Sequence, residues 1–330
     1  MDIDWESKIQ IDKRWVERQL TTHFENKALK ISIRGYTPKV SGNQFSCSSM
    51  IEELNFMLSD YVNSSRAKKR QHQALVTKYG KALADKRLDI SLNERAKAFF
   101  GATATDSDGK FGELLLFALA ESILKCKMVA HKISGLSNGK DQVKGGDGIF
   151  LGDYERSDGT LGPAIFIGES KIKQGFSDAI QDAFISIDRF HSAKTKAEFT
   201  NMEFIVANNT LFTEEGEEDF EEIFDRLTPG TASYATQVWV HPVLIMYNTV
   251  KIASFEQLAA SPQELEAYLK DFMIKEKNTF LTKINNKIVG QENIKKIHLD
   301  FFIFPFNDIR HFRDGMYFAI HNMRPGTNGK

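Results

Sequence analysis

Hydrophobic and polar positions divide the chain into stretches with two different periods. In residues 111–132 the apolar residues recur at spacings of three and four, which predicts a long helix. Two strand-like runs follow at residues 147–153 and 164–171, and the turn-forming sequence Ser157-Asp158-Gly159 between them predicts a hairpin. A helix is predicted next at residues 176–190. The remaining predicted elements are strands at 202–207, 238–247 and 297–306 and helices at 263–277 and 307–323.

Helix, hairpin, helix and strand in this order predict an α/β core. The first hundred residues are mixed, with helical patterns at 50–62 and 83–100 and a strand-like run at 29–33, and they contain no catalytic pattern. The segment 101–109 is rich in Thr, Asp and Gly, which indicates a break, and Asp108 is a candidate N-cap for the helix that follows. We therefore predict two parts. Residues 1–105 form an N-terminal extension that is a candidate partner-binding region, and residues 106–330 form the core with C-terminal strand and helix additions.

Composition excludes several classes of protein. A chain of 330 residues with 42% hydrophobic content can bury a large core. The longest purely apolar stretch, residues 114–120, is much shorter than the roughly 20 residues that cross a bilayer. The acidic start Met1-Asp2-Ile3-Asp4 is not a signal peptide, so we expect a cytoplasmic protein. Cys47 and Cys126 lie far apart, with no cysteine or histidine at zinc-ligand spacing, and indicate neither a disulfide framework nor structural zinc.

The formal net charge of −1 is unusual for a protein that acts on nucleic acid. Nonspecific affinity for nucleic acid comes mostly from Lys and Arg side chains that neutralise phosphates. The basic surface is therefore either local or supplied by a partner. Candidate patches are residues 66–70, residues 140–144, and Lys171 with Lys173, although the first two are equally consistent with an ordinary solvated surface.

The pattern Glu-x-Lys occurs three times, and its third occurrence stands in a distinctive place. Glu169-Ser170-Lys171 follows the apolar run Ala164-Ile165-Phe166-Ile167, whereas the other two lie among charged and polar residues. Side chains alternate along a strand, so Glu169 and Lys171 are expected to project from one face. Asp147, 22 residues before Glu169, opens the preceding strand after Gly145-Gly146. The predicted hairpin thus brings two carboxylates and a lysine together.

This set of side chains suits the hydrolysis of a phosphodiester. A divalent metal can activate water, neutralise the phosphate and stabilise the leaving alkoxide. Magnesium commonly uses one or two carboxylates, so Asp147 and Glu169 are candidate ligands, with manganese as the alternative ion. Lys171 would orient or deprotonate the water, and crowding near the metal would depress its pKa. Two plainer interpretations stay open: Asp147 lies in a simple glycine-rich turn, and Glu169 and Lys171 form a salt bridge at a strand end.

Glu113 is a third candidate acid, on the apolar face of the helix predicted at 111–132. A buried carboxylate is costly unless it is paired or binds a metal, which makes Glu113 an additional candidate ligand. The alternative is a half-solvated acid favoured by the helix macrodipole. Gln181 and Asp182, in the next predicted helix, could approach the same centre or lie on the surface.

Together, Glu113, Asp147 and Glu169-Ser170-Lys171 resemble the motif of the PD-(D/E)xK nuclease superfamily, although Gly146 stands where the proline would be. More narrowly, Phe111-Gly112-Glu113, Gly146-Asp147-Gly148 and Gly168-Glu169-Ser170-Lys171 resemble the HamA family, the nuclease subunits of the Hachiman anti-phage defence system. The resemblance covers roughly residues 101–207. It implies a restriction-endonuclease-like core with a mixed central sheet flanked by helices, and a site of Glu113, Asp147, Glu169 and Lys171.

The resemblance also implies the partners. A HamB-like helicase subunit would sense DNA and restrain the nuclease until ATP-driven activity releases it. Such a helicase would explain the near-neutral charge, because the partner could supply much of the DNA affinity. The first hypothesis is therefore a magnesium-dependent DNA endonuclease under helicase control. The second is a catalytically inactive module of the same fold that binds and regulates a helicase.

Overall fold

One mixed β-sheet organises the residues that the computed structural model describes, which are 3–101, 109–130, 147–191 and 217–324. Its strand order is β1-β2-β8-β7-β5-β4-β3, with β6 also bound to β7. The strands are β1 (Leu20–Ala28), β2 (Ile31–Pro38), β3 (Lys127–Ala130), β4 (Ile149–Glu155), β5 (Leu161–Ile167), β6 (Glu169–Lys173), β7 (Val238–Asn248) and β8 (His298–Phe306). This architecture confirms the predicted α/β class.

Helices cover both faces of the sheet. Against one face pack α7 and the helices near it, and against the other pack α8 and α12. The helices are α1 (Trp5–Lys8), α2 (Trp15–Gln19), α3 (Ser48–Phe56), α4 (Leu58–Val62), α5 (Ser65–Tyr79), α6 (Lys81–Phe100), α7 (Lys110–Leu119), α8 (Phe176–Phe190), α9 (Glu217–Leu227), α10 (Ala232–Thr236), α11 (Lys251–Leu258), α12 (Pro262–Ile288) and α13 (Ile309–His321). None of the helices in the described ranges is long and apolar enough to span a bilayer.

Parallel strands form the centre of the sheet. Strand β7 is parallel to β8 on one side and to both β5 and β6 on the other. Phe166 pairs with Val240 and Glu169 with Val243, so β5 and β6 keep one register along β7 across the break at Gly168. Helices on both faces bury these strands, which explains why β7 and β8 are almost continuously apolar in sequence.

The predicted hairpin is present. Strands β4 and β5 pair antiparallel from Ile149 opposite Ile167 to Glu155 opposite Leu161. The connecting turn closes through Arg156 and Thr160 and contains Gly159 with φ +80°. The predictions for α8, β7, β8 and α13 are also confirmed, and α12 extends beyond its predicted end. The strand predicted at 202–207 lies outside the described residues.

The prediction of one helix over 111–132 is wrong in its second half. Helix α7 ends at Leu119 and passes into a π-helical turn, Ala120–Leu124. Lys125 then adopts a left-handed conformation, with φ +53°, and β3 begins at Lys127. The apolar residues of β3 happen to continue the helical spacing, but pairing with β4 at the sheet edge determines their structure.

The N-terminal part contributes strands to the same sheet. Strand β2 pairs in parallel with β8 from Ile31 opposite Leu299 to Gly35 opposite Ile303, and β1 pairs antiparallel with β2. The run predicted as a strand at 29–33 therefore begins in a hairpin turn at Leu29. The helix predicted at 50–62 is divided into α3 and α4 at Met57. The boundary at residue 105 stays a prediction.

Candidate active site

A break between β5 and β6 positions the candidate site. The backbone N–H of Asp147 donates to the Gly168 carbonyl at 2.7 Å, and the Gly168 N–H donates to the Gly148 carbonyl at 2.9 Å. Asp147 and Gly148 thus lie opposite the single residue Gly168, which is the pattern of a β-bulge. Bulges re-aim side chains, and here the bulge places Asp147 beside the first residues of β6.

Asp147 is held by Ser170, the middle residue of the Glu-x-Lys motif. The Ser170 N–H and its hydroxyl both donate to Asp147 Oδ2, each at 2.7 Å. Asp147 is 9% exposed. Two donors to one oxygen fix the orientation of the carboxylate, which is what a preformed ligand or catalytic acid requires.

Glu169 and Lys171 form an ion pair on β6, as their alternation predicts. The Glu169 side chain is 8% exposed and the Lys171 side chain 21%. Burial raises the pKa of Glu169 to about 7, with a further contribution from Asp147, while Lys171 opposes the shift. Burial is the larger cause of the shift, and the second acid near the same lysine adds to it.

Crowding near a bound metal is expected to depress the pKa of Lys171, and this stays a prediction; the protein's own groups shift the pKa the other way. Burial acts to lower this pKa, but Glu169, Asp147 and Asp182 together outweigh burial and raise it. Among the protein's own groups, therefore, Lys171 is a protonated cation rather than a base.

Helix α8 lies beside the motif and supplies further polar groups. Ser186 hydrogen-bonds Glu169 and so favours its ionised form. Asp182 forms an ion pair with Lys173 at 2.5 Å, which brings it near the site, whereas Gln181 accepts a hydrogen bond from Lys287. Of the two polar residues considered on this helix, Asp182 lies closer to the candidate chemistry.

Glu113 occupies the first turn of α7 and is half-buried. Its carboxylate accepts a hydrogen bond from the Tyr61 hydroxyl at 3.2 Å. In the described ranges there is no group of three or more acidic, histidine or cysteine side chains able to hold a metal ion. Glu113 therefore does not join Asp147 and Glu169 in one cluster of three acids.

A model of the HamA family matches residues 10–320 of the chain. The chain belongs to the HamA family. The match extends well beyond residues 101–207, where the sequence resemblance was found, and spans the sheet from β1 to β8. No curated protein matches the chain. Membership of the HamA family supports a role in Hachiman defence.

The carboxylates of this HamA-family site fit a hard cation. Asp147 and Glu169 offer oxygen ligands, the kind that magnesium prefers, and magnesium needs only one or two of them from the protein. Burial and the neighbouring Asp147 both raise the pKa of Glu169, so its ionised form is disfavoured although Lys171 is beside it. An added cation would favour that ionised form.

Three residues to which the sequence analysis gives no role of their own shape the site. Ser170 orients Asp147, and Ser186 bonds Glu169. A Cβ on Gly112 would lie 3.2 Å from both Ser170 Oγ and Ile172 Cδ1, so glycine allows α7 to approach β6 closely. Strand alternation could have indicated Ser170, which faces α7 between two residues of the motif. The roles of Ser186 and Gly112 depend on how α8 and α7 pack against β6, and no local sequence pattern indicates that packing.

Proposed function

We propose that this HamA-family protein is a magnesium-dependent DNA endonuclease, the effector of a Hachiman anti-phage defence system. The observation that supports this most strongly is the convergence of Asp147, Glu169 and Lys171 where β5 passes into β6. The acids outnumber the lysine, and the lysine is partly exposed. A site that handles a cation and a phosphate needs both properties.

In this proposal Asp147 and Glu169 hold the ion, magnesium or alternatively manganese. When bound, the ion supplies positive charge for the phosphate oxygens and lowers the pKa of a water molecule. Ser170 keeps Asp147 in one orientation. Lys171, protonated and anchored on Glu169, places a cation where negative charge develops during phosphodiester hydrolysis.

Glu113 takes a supporting role in the same proposal. It begins the helix that packs on β6, and Tyr61 holds its carboxylate. We assign the restraint of the nuclease to a HamB-like helicase that engages DNA, as the sequence resemblance implies. The competing function is an inactive module of the same fold that regulates the helicase. Two acids and a lysine gathered at one bulge favour the nuclease, because a binding module gains nothing from an excess of buried carboxylate.

The test is cleavage by the double variant Glu169→Ala/Lys171→Ala. Purified protein, with and without the helicase partner, is incubated with plasmid and linear single-stranded DNA in magnesium or EDTA. We expect magnesium-dependent cleavage by wild type and none by the variant, with folding and partner binding retained. Undiminished magnesium-dependent cleavage by the variant would overturn the assignment.

The chain offers a matched control. Glu25 and Lys27 have the same spacing on β1, where their side chains are 48% and 38% exposed. Glu25→Ala/Lys27→Ala should cleave like wild type. If wild type with its partner cleaves none of the substrates under any condition yet binds the helicase, the regulatory module becomes the better account.

A further inference from the structure

Helices α5 and α6 form a hairpin whose charge differs sharply from that of the rest of the chain. Residues Ser65–Phe100, which we call the basic arm, contain ten Lys and Arg residues and three acidic residues. The arm therefore carries a formal charge of +7, and the remainder of the chain carries −8, since the whole chain is −1. The near-neutral total hides a strongly basic local surface.

The basic arm is extended and well exposed. Its helices have 15 and 20 residues, so they are about 22 and 30 Å long. They meet at Gly80, whose φ of +75° permits the tight reversal. Every residue from Ala67 to Tyr79 is at least partly exposed. Helix α6 buries one apolar stripe, formed by Ala84, Leu92, Ala96 and Phe100, and the cations of the arm lie outside it, so packing does not explain the positive charge.

The base of the arm is attached to the helix that packs on the candidate site. Phe100 stacks on Phe111 with ring centroids 6.0 Å apart, and Lys110 Nζ donates to the Phe99 carbonyl at 2.9 Å. The next residue of α7, Gly112, lies against Ser170. The base of the arm is therefore connected through α7 to the β5–β6 break.

We propose that the basic arm binds the phosphate backbone of double-stranded DNA without reading its sequence. This inference rests on the proposed nuclease function and names the surface that holds the substrate. The cations are spread along both helices, over a length that spans about eight base pairs of B-DNA. Proteins that bind single strands use exposed aromatic platforms, whereas on the arm Tyr79 lies beneath Lys78 and Arg87, and Phe99 lies beneath Lys110.

An acidic protein surface is a weaker match than duplex DNA. The centres of protein interfaces are depleted in lysine and rich in aromatic anchors. The exposed apolar residues of the arm, such as Leu83 and Ile90, are separated by charged side chains. Regularly spaced phosphates require only distributed positive charge.

The experiment measures DNA binding by the full-length protein in EDTA, so that cleavage plays no part. A fluorescent 30-base-pair duplex of arbitrary sequence and the corresponding single strand are titrated, with anisotropy as the readout, at several salt concentrations. Four exposed cations of the arm are replaced in one variant: Arg70→Gln, Lys78→Gln, Lys86→Gln and Arg87→Gln. The matched control removes four lysines from α12, where basic and acidic residues are nearly balanced: Lys270→Gln, Lys275→Gln, Lys277→Gln and Lys283→Gln.

We expect the arm variant to bind duplex at least tenfold more weakly than wild type. The magnitude of the slope of log affinity against log salt should fall by up to about 3.6, since each of the four lost phosphate contacts removes about 0.9. The control should change affinity less than threefold, and circular dichroism should show both variants folded. Equal duplex binding by wild type and the arm variant overturns the proposal, as does an equal loss in the control or tighter binding of the single strand.

The outcomes also separate this inference from the proposed function. Loss of helicase binding with duplex binding intact would make the arm a protein-docking surface and overturn the DNA assignment. Arm-dependent duplex binding without any cleavage would leave the arm assigned to DNA while the nuclease proposal fails. If wild type cleaves DNA but its duplex binding does not depend on the arm, the nuclease proposal stands and the assignment of the arm to DNA fails.

Discussion

The Glu121–Lys127 pair and the Glu169–Lys171 pair place the same two side chains in very different surroundings. Glu121 is fully buried, and Lys127 is 4% exposed at 2.9 Å from it. Lys171 is 21% exposed, and a second acid, Asp147, lies close enough to raise the pKa of Glu169. We call Glu121–Lys127 the closed pair because both side chains are buried. We call Glu169–Lys171 the open pair because its lysine is partly exposed and a second acid lies beside it.

This difference separates a structural ion pair from a candidate catalytic one. Glu121 Oε1 also accepts the Met128 N–H at 3.1 Å, so the closed pair fixes the start of β3 after the π-helical turn. Burial raises the pKa of both glutamates. A buried glutamate with a shifted pKa is therefore not by itself a sign of catalysis; the second acid and the route to solvent distinguish the candidate site.

The largest expected effect comes from removing the lysine of the closed pair. Lys127→Met leaves Glu121 buried without its cation, and we expect the free energy of unfolding to fall by about 3–5 kcal/mol. Lys171→Met should cost much less, about 1 kcal/mol, because Glu169 already takes up a proton near pH 7 and the Lys171 side chain is itself partly exposed. Urea denaturation at pH 7 measures both. A larger loss for Lys171→Met would remove the distinction between the pairs.

A pH series tests the raised pKa of Glu169. This pKa is about 7 in the folded protein and 4.5 for an unperturbed glutamate, so the folded state binds the proton more tightly. The free energy of unfolding should therefore fall as pH rises from 4.5 to 7, by up to about 3 kcal/mol from this group. In Glu169→Gln this contribution should be absent. Parallel stability curves for wild type and variant across that range would contradict the assignment.

The effect of a divalent ion sharpens the comparison further. Magnesium at one hundred times its dissociation constant should stabilise wild type by about 2.7 kcal/mol. Asp147→Asn, which keeps an oxygen for the Ser170 N–H, should lose this increment. Glu121→Gln should be less stable overall and yet retain it. Thermal or urea unfolding with and without magnesium measures this gain in unfolding free energy. An equal gain in Asp147→Asn would place the ion elsewhere.

Clear periodicity made much of the fold predictable. Helix α8 has a strong apolar stripe and was predicted with its exact bounds, Phe176–Phe190, and β8 is almost entirely apolar. Strand β1 was missed because His23 and Glu25 interrupt any simple alternation, and its pairing with β2 is a tertiary property. Strand β3 was missed for the opposite reason, since its apolar residues continue the helical spacing of α7.

The candidate site was predictable only in part. Alternation along β6 placed Glu169 and Lys171 on one face, and the hairpin brought Asp147 to them. The bulge at Gly168 and the contact between Gly112 and Ser170 depend on packing between distant segments. Sequence patterns record which face a residue occupies, but they do not record how closely a helix approaches that face.

The smallest expected effect on stability, with a larger one on activity, comes from Gly112→Ala. The new Cβ would lie 3.2 Å from Ser170 Oγ, so either α7 or Ser170 must move slightly. Alanine is favoured over glycine in a helix by about 1 kcal/mol, which offsets most of the strain.

A shift of Ser170 would nevertheless disturb both hydrogen bonds that orient Asp147. Cleavage should therefore fall about tenfold or more while the unfolding free energy changes by about 1 kcal/mol or less, since a small misplacement of a catalytic group is costly. The exposed Gly42→Ala is an unsuitable control because its φ is +59°, whereas Ala267→Gly, at an exposed position of α12, weakens a helix without touching the site or the basic arm. Ala267→Gly should lose about 1 kcal/mol of stability and no cleavage. If Gly112→Ala cleaves DNA as fast as wild type, the close approach of α7 to β6 serves packing alone and the orientation of Asp147 does not depend on it.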